Sequence, residues 1–189
     1  MNKIQRIIIG CVDIIFYTLI ALLIISTIRH FAFQTFQVDG LSMEPQLHNG
    51  DEMIMLKKSK IDRFDIVVFP DPSGSQESYV KRVIGLPGDE LYVKDDQLFI
   101  NNQVIEEPYL EPNKSNYPDE YTSDFSLWNT VGELRVPEGF YFVLGDNRPH
   151  SGDSRQFGLV PIDSVEGEAV FTYSPFEHFG RVNQYKLIQ

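Results

Sequence analysis

The longest apolar stretch in the chain runs from residue 7 to residue 28 and contains one charged residue, Asp13. As a helix, these 22 residues would be about 33 Å long. The hydrocarbon core of a bilayer is about 30 Å thick. The stretch therefore predicts a transmembrane helix.

Charged residues on either side of this stretch indicate its orientation. Lys3 and Arg6 precede it, and Arg29 and His30 follow it. The short N-terminal end carries the clearer positive bias, and such ends stay in the cytoplasm. We therefore expect three regions, namely a cytoplasmic N-terminus (1–6), a transmembrane anchor (7–28) and an exported domain (29–189).

A removable signal peptide is the alternative interpretation of the same stretch. The apolar region of a signal peptide is normally about 7–15 residues long and is followed by small residues at the cleavage site. Here the apolar run is longer, and the bulky residues Phe31, Phe33 and Phe36 follow it. These features favour an anchor that is retained.

Beyond residue 35 the pattern changes to short runs rich in Val, Ile and aromatic residues, separated by clusters of turn-forming residues. Such runs indicate β-strands, and no long helical periodicity occurs outside the anchor. The predicted strands are residues 36–39, 51–56, 65–69, 79–84, 139–144 and 167–173, with a hairpin formed by 90–94 and 97–101. We expect the exported domain to be mainly β, built as a coiled antiparallel sheet or partial barrel.

The segment from residue 108 to residue 134 is different, because it is rich in Pro, Asn, Asp, Glu and Ser. A loop of this length without secondary structure is uncommon inside a compact domain. We expect residues 90–139 to form a smaller, inserted and variable subdomain. Its polar segment is either a surface excursion that docks through Phe125 and Trp128, which we favour, or a lid that contacts a partner.

Composition excludes several classes of function. The net charge is −11, from 27 acidic and 16 basic residues, which argues against nucleic acid as a partner. The single cysteine, Cys11, lies within the apolar stretch. The exported domain is therefore predicted to have neither a disulfide nor a cysteine nucleophile.

Ser42 and Lys81 are the candidate catalytic pair. A serine hydroxyl needs a base before it attacks a carbonyl, and a neutral lysine can be that base. Gly40 allows a tight turn before Ser42, and the N–H of a serine on such a turn can point at a developing oxyanion. Lys81 is flanked by Val80 and Val83, and burial lowers the pKa of a lysine from its usual value near 10.4.

Other chemistries fit the sequence less well. His48 and His150 allow a Ser-His-Asp triad, but no Gly-x-Ser-x-Gly elbow surrounds Ser42. The acidic loop at 146–153 offers carboxylate and amide oxygens, but their spacing misses the pattern of a calcium-binding loop. We expect these carboxylates to pair with nearby arginines, and we expect no metal or cofactor.

Four groups of residues, taken in order after the anchor, resemble the type I signal peptidases, the Ser-Lys enzymes that remove signal peptides from exported proteins. They are Ser-Met-x-Pro-x-Leu at 42–47, Asp-Ile-Val-Val-Phe at 65–69, Tyr-Val-Lys-Arg-Val-Ile-Gly-Leu-Pro-Gly-Asp at 79–89, and Leu-Gly-Asp-Asn-Arg at 144–148 with Ser151, Asp153-Ser154-Arg155 and Phe157-Gly158. Each group is a moderate signal, and together they are specific. The resemblance covers nearly the whole chain and is weakest at 113–134, where the family also varies.

The resemblance implies roles for the matching residues. Ser42 would be the nucleophile and Lys81 the general base, with the Ser151 hydroxyl orienting the lysine. Gly40 stands where some members have a serine that completes the oxyanion hole, so the chain resembles the Gram-positive members that have glycine there. Charged residues would hold the scaffold of the site, namely Arg82, Asp146, Asp153 and Arg155. Other residues match positions near shallow pockets for small substrate side chains, namely Met43, Leu47, Tyr79 and Val80.

The implied function is that of a membrane-bound serine endopeptidase that cuts signal peptides from exported preproteins after small residues, at Ala-x-Ala-like sites. Its partners would be preproteins and the lipid bilayer, with no nucleic acid, and the sequence gives no oligomeric state. One alternative is a signal peptidase devoted to a narrow client set such as pilus subunits, and another is a non-catalytic relative that acts as an assembly factor. The chain has Gln46 and Phe64 where many members have Thr and Gly. Neither difference removes a catalytic group, so we expect them to affect substrate preference more than activity.

Overall fold

A computed structural model describes residues 3–57 and 60–182, which fall into two compact units divided between Gln34 and Thr35. The remaining parts of the predicted cytoplasmic N-terminus and exported domain, namely residues 1–2, 58–59 and 183–189, lie outside this description.

The first unit is dominated by a single helix, α1 (Lys3–Ala32). It extends the predicted anchor, residues 7–28, by four residues at each end. Within it, Ile9–Thr27 forms the only helix in the described part of the chain that is long and apolar enough to cross a membrane, and none of it is buried. Apolar side chains occur on all sides of α1, as in a helix surrounded by lipid, and Cys11 is exposed on its surface.

Twelve strands are formed by the described residues. They are β1 (Phe33–Gln37), β2 (Glu52–Leu56), β3 (Ile66–Pro70), β4 (Ser78–Gly85), β5 (Leu91–Lys94), β6 (Gln97–Ile100), β7 (Gln103–Ile105), β8 (Phe125–Ser126), β9 (Phe140–Leu144), β10 (Val160–Pro161), β11 (Gly167–Ser174) and β12 (Gly180–Arg181). Eight of them form one sheet in the order β1-β2-β11-β3-β4-β9-β10, with β12 beside β11. The other four form a second sheet in the order β7-β6-β5-β8.

Both sheets confirm the predicted mainly β fold. The strand pairs from β2 to β10 and all pairs of the second sheet are antiparallel. In the strands described, neither sheet closes on itself, so the architecture is coiled sheet rather than barrel. The continuous apolar run of β3 reflects its place between β11 and β4, where four of its five residues are buried.

The predicted hairpin corresponds to β5 and β6 and is confirmed. Asp95 and Asp96 connect these strands, with φ angles of 50° and 59°. Two consecutive positive φ angles are typical of the tight turn that matches the twist of a hairpin, and Asp is among the residues that tolerate them. Asn101 and Asn102 repeat the same device between β6 and β7, with φ angles of 51° and 63°.

Short helices complete the second unit. They are α2 (Glu111–Lys114), α3 (Leu127–Val131), α4 (Ser154–Phe157) and four three-residue 3-10 helices at Pro108–Leu110, Arg148–His150, Ile162–Ser164 and Phe176–His178. The segment from 108 to 134 therefore has secondary structure of its own. Phe125 stacks on Phe142, with ring centroids 5.7 Å apart, and Tyr121 is buried, so these two aromatic residues dock the segment. Trp128, which we expected to dock as well, is 60% exposed.

Candidate active site

Ser42 lies on a turn between β1 and β2 that is held by side chains from other loops. The N–H of Gly40 donates to Asn49 Oδ1 at 2.9 Å, and the φ angle of Gly40 is +94°, a conformation that favours glycine. On the other side, Asn147 donates from its backbone N to the carbonyl oxygen of Ser42 and from Nδ2 to that of Leu41, both at 3.0 Å. Hydrogen bonds to Asn49 and Asn147 therefore fix the backbone of the Ser42 turn.

Lys81 lies on β4, opposite Val67 of β3, and its amine reaches the Ser42 turn. Its Nζ is 2.9 Å from Ser42 Oγ and 2.9 Å from the carbonyl oxygen of Val80. The lysine is 5% exposed. The amine and the hydroxyl are therefore in direct hydrogen-bond contact in a site with little water.

Burial lowers the pKa of Lys81 from 10.5 to about 8, because the desolvated ammonium is disfavoured. The negative charges of Asp153 and Asp146 oppose this shift. Each of these carboxylates is paired with an arginine. Arg82 donates to both oxygens of Asp146, at 2.8 and 2.5 Å, and Arg155 donates to both oxygens of Asp153, at 2.8 Å each. The arginines offset the charges that would otherwise keep the lysine protonated.

A third arginine, Arg148, connects the site to the second sheet. It is buried, pairs with Glu107 just beyond β7, and donates from Nε to the carbonyl oxygen of Gly145 at 3.1 Å. The nearby anions raise the pKa of its guanidinium further, despite burial. A cation at this position is therefore permanent, and it fixes the loop that follows β9.

Gly145 and Asn147 are site residues that the sequence did not reveal. A Cβ atom on Gly145 would lie 2.1 Å from Ser151 Oγ and 2.5 Å from the carbonyl oxygen of Ser42. Only glycine allows the loop after β9 to approach the Ser42 turn this closely. Both lie in the Leu-Gly-Asp-Asn-Arg group at 144–148 that carries the family resemblance, but nothing in that group predicted a contact with the Ser42 turn.

Ser151 is buried next to this approach. Within the described part of the chain, its Oγ has no hydrogen-bond partner, so no bond to Lys81 is formed in this conformation. A buried hydroxyl without a partner is rare and calls for an explanation. Its proximity to Gly145 nevertheless places it beside the Ser42 turn.

A groove of about 480 Å³ opens at the Ser42 hydroxyl. It is lined mainly by residues 36–43 on one side and 77–81 on the other, together with Val68, His150 and Gly152. Met43, Tyr79 and Val80, expected near substrate pockets, are among the lining residues. Leu47, also expected there, does not line the groove. It is buried in an apolar cluster that includes Met43.

The histidines do not form a triad with Ser42. Among the described residues, Lys81 is the only one whose side chain forms a hydrogen bond with Ser42 Oγ. His150 contacts the Tyr117 hydroxyl at 3.1 Å, and His48 stacks on His178. Asp146 and Asp153, the carboxylates considered for calcium, are each paired with an arginine, as expected.

A family model described as "Signal peptidase, peptidase S26" matches residues 11–174. The chain belongs to this signal peptidase family. Signal peptidase I of Bacillus caldolyticus is 46% identical over 165 residues, which cover 85% of this chain and 90% of that protein. Signal peptidase I T of Bacillus subtilis (strain 168) is 41% identical over 162 residues, which cover 83% of this chain and 82% of that protein.

A crystal structure of signal peptidase I from Enterococcus faecalis V583 agrees with these relatives. The two structures align with a TM-score of 0.55 and 49% sequence identity. The alignment covers 58% of this chain and 97% of the Enterococcus chain. The resemblance to Gram-positive type I signal peptidases is thereby confirmed, and so is the class of enzyme. The chain is a serine peptidase that cleaves signal peptides.

Proposed function

We propose that this signal peptidase cleaves exported preproteins after small residues, at Ala-x-Ala-like sites, with Ser42 as nucleophile and Lys81 as general base. The observation that supports this proposal is the 2.9 Å contact between Lys81 Nζ and Ser42 Oγ, made by a buried lysine whose pKa is lowered to about 8. A general base must lie within hydrogen-bond reach of the proton it removes, and its pKa should be near the working pH. Lys81 meets both conditions.

The proton follows a short path in this mechanism. The lone pair of neutral Lys81 accepts the proton of the Ser42 hydroxyl as the serine oxygen attacks the scissile carbonyl. The resulting ammonium then donates a proton to the leaving amine, and an acyl-enzyme remains on Ser42. Lys81, neutral again, then takes a proton from water as the water oxygen attacks the acyl carbon. The bond between that carbon and Ser42 Oγ breaks, and the ammonium returns the proton to Ser42 Oγ, which releases the product and restores the serine.

The oxyanion is proposed to bind to the N–H of Ser42. Within the described part of the chain, this N–H donates no hydrogen bond and is available, whereas the N–H of Gly40 is occupied by Asn49. Gly40 therefore contributes the conformation of the turn rather than a donor. A preorganised backbone donor of this kind typically lowers the barrier by several kcal/mol, on the order of 3.

Ser151 is proposed to orient the neutral amine of Lys81. A neutral amine has one lone pair and two N–H groups. If the lone pair faces Ser42 and one N–H donates to the Val80 carbonyl oxygen, the other N–H needs an acceptor. The buried Ser151 hydroxyl, which lacks a partner among the described residues, is a suitable one.

Substrate is proposed to lie as an extended chain in the groove beside Ser42. Tyr79 and Val80 precede the base on β4, and Met43 follows the nucleophile, so side chains on both sides limit the space next to the scissile bond. Small residues fit such a space, which supports Ala-x-Ala-like preference. Tyr79 is held on this wall by packing against Phe69 and Phe157, with ring centroids 6.2 and 5.9 Å away.

The proposed location is the cell membrane, with α1 as a single-pass anchor, the N-terminus in the cytoplasm and the catalytic domain outside. The apolar stretch Ile9–Thr27 supports the anchor, and the positive charge before it supports the orientation. Only residues 33–41 separate the end of α1 from Ser42, and this chain can span at most about 36 Å when fully extended. Ser42 then works where the cleavage site of a preprotein leaves the bilayer.

Cleavage of a preprotein by purified full-length chain, reconstituted in lipid, tests this function. We expect one cut after the final alanine of an Ala-x-Ala site, seen on a gel and located by mass spectrometry, and no cut by Ser42→Ala or Lys81→Ala. Each variant should keep the circular dichroism spectrum of the wild type. Retained turnover in purified Lys81→Ala would overturn the role of the lysine.

A folded wild type that leaves this preprotein intact would point to the alternatives. Cleavage of pilin precursors only would indicate a narrow client set. No cleavage of either substrate would indicate an assembly factor without peptidase activity.

A further inference from the structure

Two histidines and a buried carboxylate meet at a place that the proposed peptidase mechanism does not use. His48 follows the Ser42 turn, Asp51 precedes β2, and His178 ends the 3-10 helix at Phe176–His178. The Nδ1 atom of His178 lies 2.6 Å from Asp51 Oδ1, and that of His48 lies 3.9 Å from Asp51 Oδ2. The two imidazole rings stack, with centroids 4.1 Å apart.

Asp51 is a fixed ligand at the base of this cluster. It is 1% exposed, and its Oδ2 accepts the backbone N–H of His48 at 2.9 Å. Its carbonyl oxygen accepts the N–H of Val38 at 2.8 Å, which ties the residue to the chain that lines the groove. The carboxylate therefore cannot swing out to water.

The two histidines are more exposed than Asp51. The side chain of His48 is 42% exposed and that of His178 is 34% exposed. Each has a water-facing edge, so each ring can turn without disturbing the core. An ion could therefore reach these two side chains from solvent.

The spacing of the three groups fits a transition-metal ion. Their ligand atoms all lie within 4.8 Å of one another. Around tetrahedral zinc, with bonds of about 2.0–2.2 Å, neighbouring ligand atoms are about 3.3–3.5 Å apart. That separation falls between the two distances observed here, 2.6 and 3.9 Å. Small rotations of the exposed rings would equalise them.

The donor atoms favour the same conclusion. Two imidazole rings and one carboxylate are a donor set that suits zinc and its neighbours in the first transition row. We propose that His48, Asp51 and His178 form a binding site for a divalent transition-metal ion such as Zn²⁺, with at least one position left to water.

The site would act on the fold rather than on the reacting atoms. A bound ion would link the segment after β11, through His178, to the loop after the Ser42 turn, through His48 and Asp51. Because Asp51 bonds to Val38, this link would brace one wall of the substrate groove. The alternative is that His178 and Asp51 form an ion pair that takes up no metal.

Titration of the full-length chain with Zn²⁺ distinguishes a metal site from an ion pair that binds no metal. The protein is purified without a histidine tag, in detergent, and stripped of metal with a chelator. We expect isothermal titration calorimetry to show one Zn²⁺ per chain, and a raised midpoint of thermal unfolding with Zn²⁺ present. Co²⁺ in place of Zn²⁺ should give visible absorption bands typical of a low-symmetry site with nitrogen and oxygen ligands.

Single substitutions locate the ion. His48→Gln and His178→Gln should each weaken Zn²⁺ binding at least about tenfold, since even residues that only support a ligand cost about 10–100-fold. His150→Gln is the control, because His150 is an exposed histidine outside the cluster. The dissociation constant of this variant for Zn²⁺ should stay within about twofold of the wild type.

Two results would overturn the proposal. One is a folded wild type that binds neither Zn²⁺ nor Co²⁺ at about 1 mM, an affinity limit near −4 kcal/mol. The other is equal binding by wild type, His48→Gln and His178→Gln. Neither readout depends on cleavage, so this test is independent of the proposed roles of Ser42 and Lys81.

Discussion

Among single residues, Lys81 sets the pH range in which the proposed mechanism operates. Its pKa is about 8, and only the neutral amine can act as base. We expect kcat/KM to rise about tenfold per pH unit below pH 8 and to level off above it. Initial rates of preprotein cleavage between pH 6 and 10 measure this profile. A midpoint near 6.5, the usual pKa of histidine, would instead indicate an imidazole base.

Gly145 is the residue whose role is purely steric. Because an added Cβ would lie 2.1 Å from Ser151 Oγ and 2.5 Å from the Ser42 carbonyl oxygen, Gly145→Ala must shift the loop after β9 or the Ser42 turn, which disturbs the contact between Ser42 and Lys81. We expect kcat/KM to fall at least about 100-fold, the typical result of a 1 Å misplacement. Cleavage kinetics measure the loss.

Gly180→Ala is the control for this substitution. Among the described residues other than its two chain neighbours, none has an atom within 4 Å of a Cβ added at Gly180. The kinetics of Gly180→Ala should therefore match those of the wild type. Equal activity of both alanine variants would contradict this prediction, because it would show that the loop after β9 moves to accommodate the added Cβ.

At this scale the sequence was a good guide to chemistry and a poor guide to contact. Ser42 and Lys81 stood out because each has a distinctive local context, and the structure brings them to 2.9 Å. Gly145 and Asn147 touch the Ser42 turn from about a hundred residues away along the chain. A single sequence carries no signal for such a contact.

Among elements, α4 and the loop before it control the charge felt by the base. Asp153 caps α4 and accepts from Arg155, so its negative charge is largely neutralised. In Arg155→Met the carboxylate would be less compensated, and its attraction for the ammonium would raise the pKa of Lys81. We expect the pH profile of kcat/KM to move upward by about half a pH unit or more.

A matched variant makes this test specific. Arg135→Met also removes an arginine, but Arg135 pairs with Glu90 at 3.5 Å in an exposed position. Its profile should coincide with that of the wild type. An unchanged midpoint in Arg155→Met would mean that Asp153 does not influence the base.

The elements themselves were predictable in proportion to their length. Of the strands with five residues or more, β2, β3, β4, β9 and β11 were expected within one residue at each end, whereas β1, expected at 36–39, lies at Phe33–Gln37. Strands β8, β10 and β12 have two residues each. Two residues have no periodicity, so tertiary contacts alone define them. Trp128 failed as a guide because an apolar side chain need not be buried.

In the whole molecule, the anchor and the catalytic unit are separate compact bodies. We therefore expect a truncated chain that begins at Thr35 to fold and to cleave a soluble peptide with an Ala-x-Ala site. It should not co-sediment with vesicles, and its cleavage of a membrane-inserted preprotein should fall at least about tenfold, because the effective concentration given by the anchor is lost.

Fusion of an unrelated transmembrane helix is the control for the truncation. This fusion should restore cleavage of the membrane-inserted preprotein. Co-sedimentation of the truncated chain with vesicles would show that the second unit binds the membrane by itself. A truncated chain that fails to fold would show instead that the two units depend on each other.

Topology is the part of the whole molecule that the sequence could not reveal. Strand β11, near the end of the described chain, lies between β2 and β3 in the sheet. The hydrophobic pattern of a strand shows that it pairs, but not with which strand, because every buried strand presents similar side chains. The family resemblance identified the fold class without giving this order.

The chain carries a single thiol, Cys11, exposed on α1, and its described catalytic unit has none. A maleimide fluorophore or nitroxide added to the unmodified protein would therefore attach at one position. Lipid-soluble and water-soluble quenchers applied to that probe would read its depth in the bilayer. The native sequence is thus already a single-label reporter, with no cysteine to remove before spectroscopy.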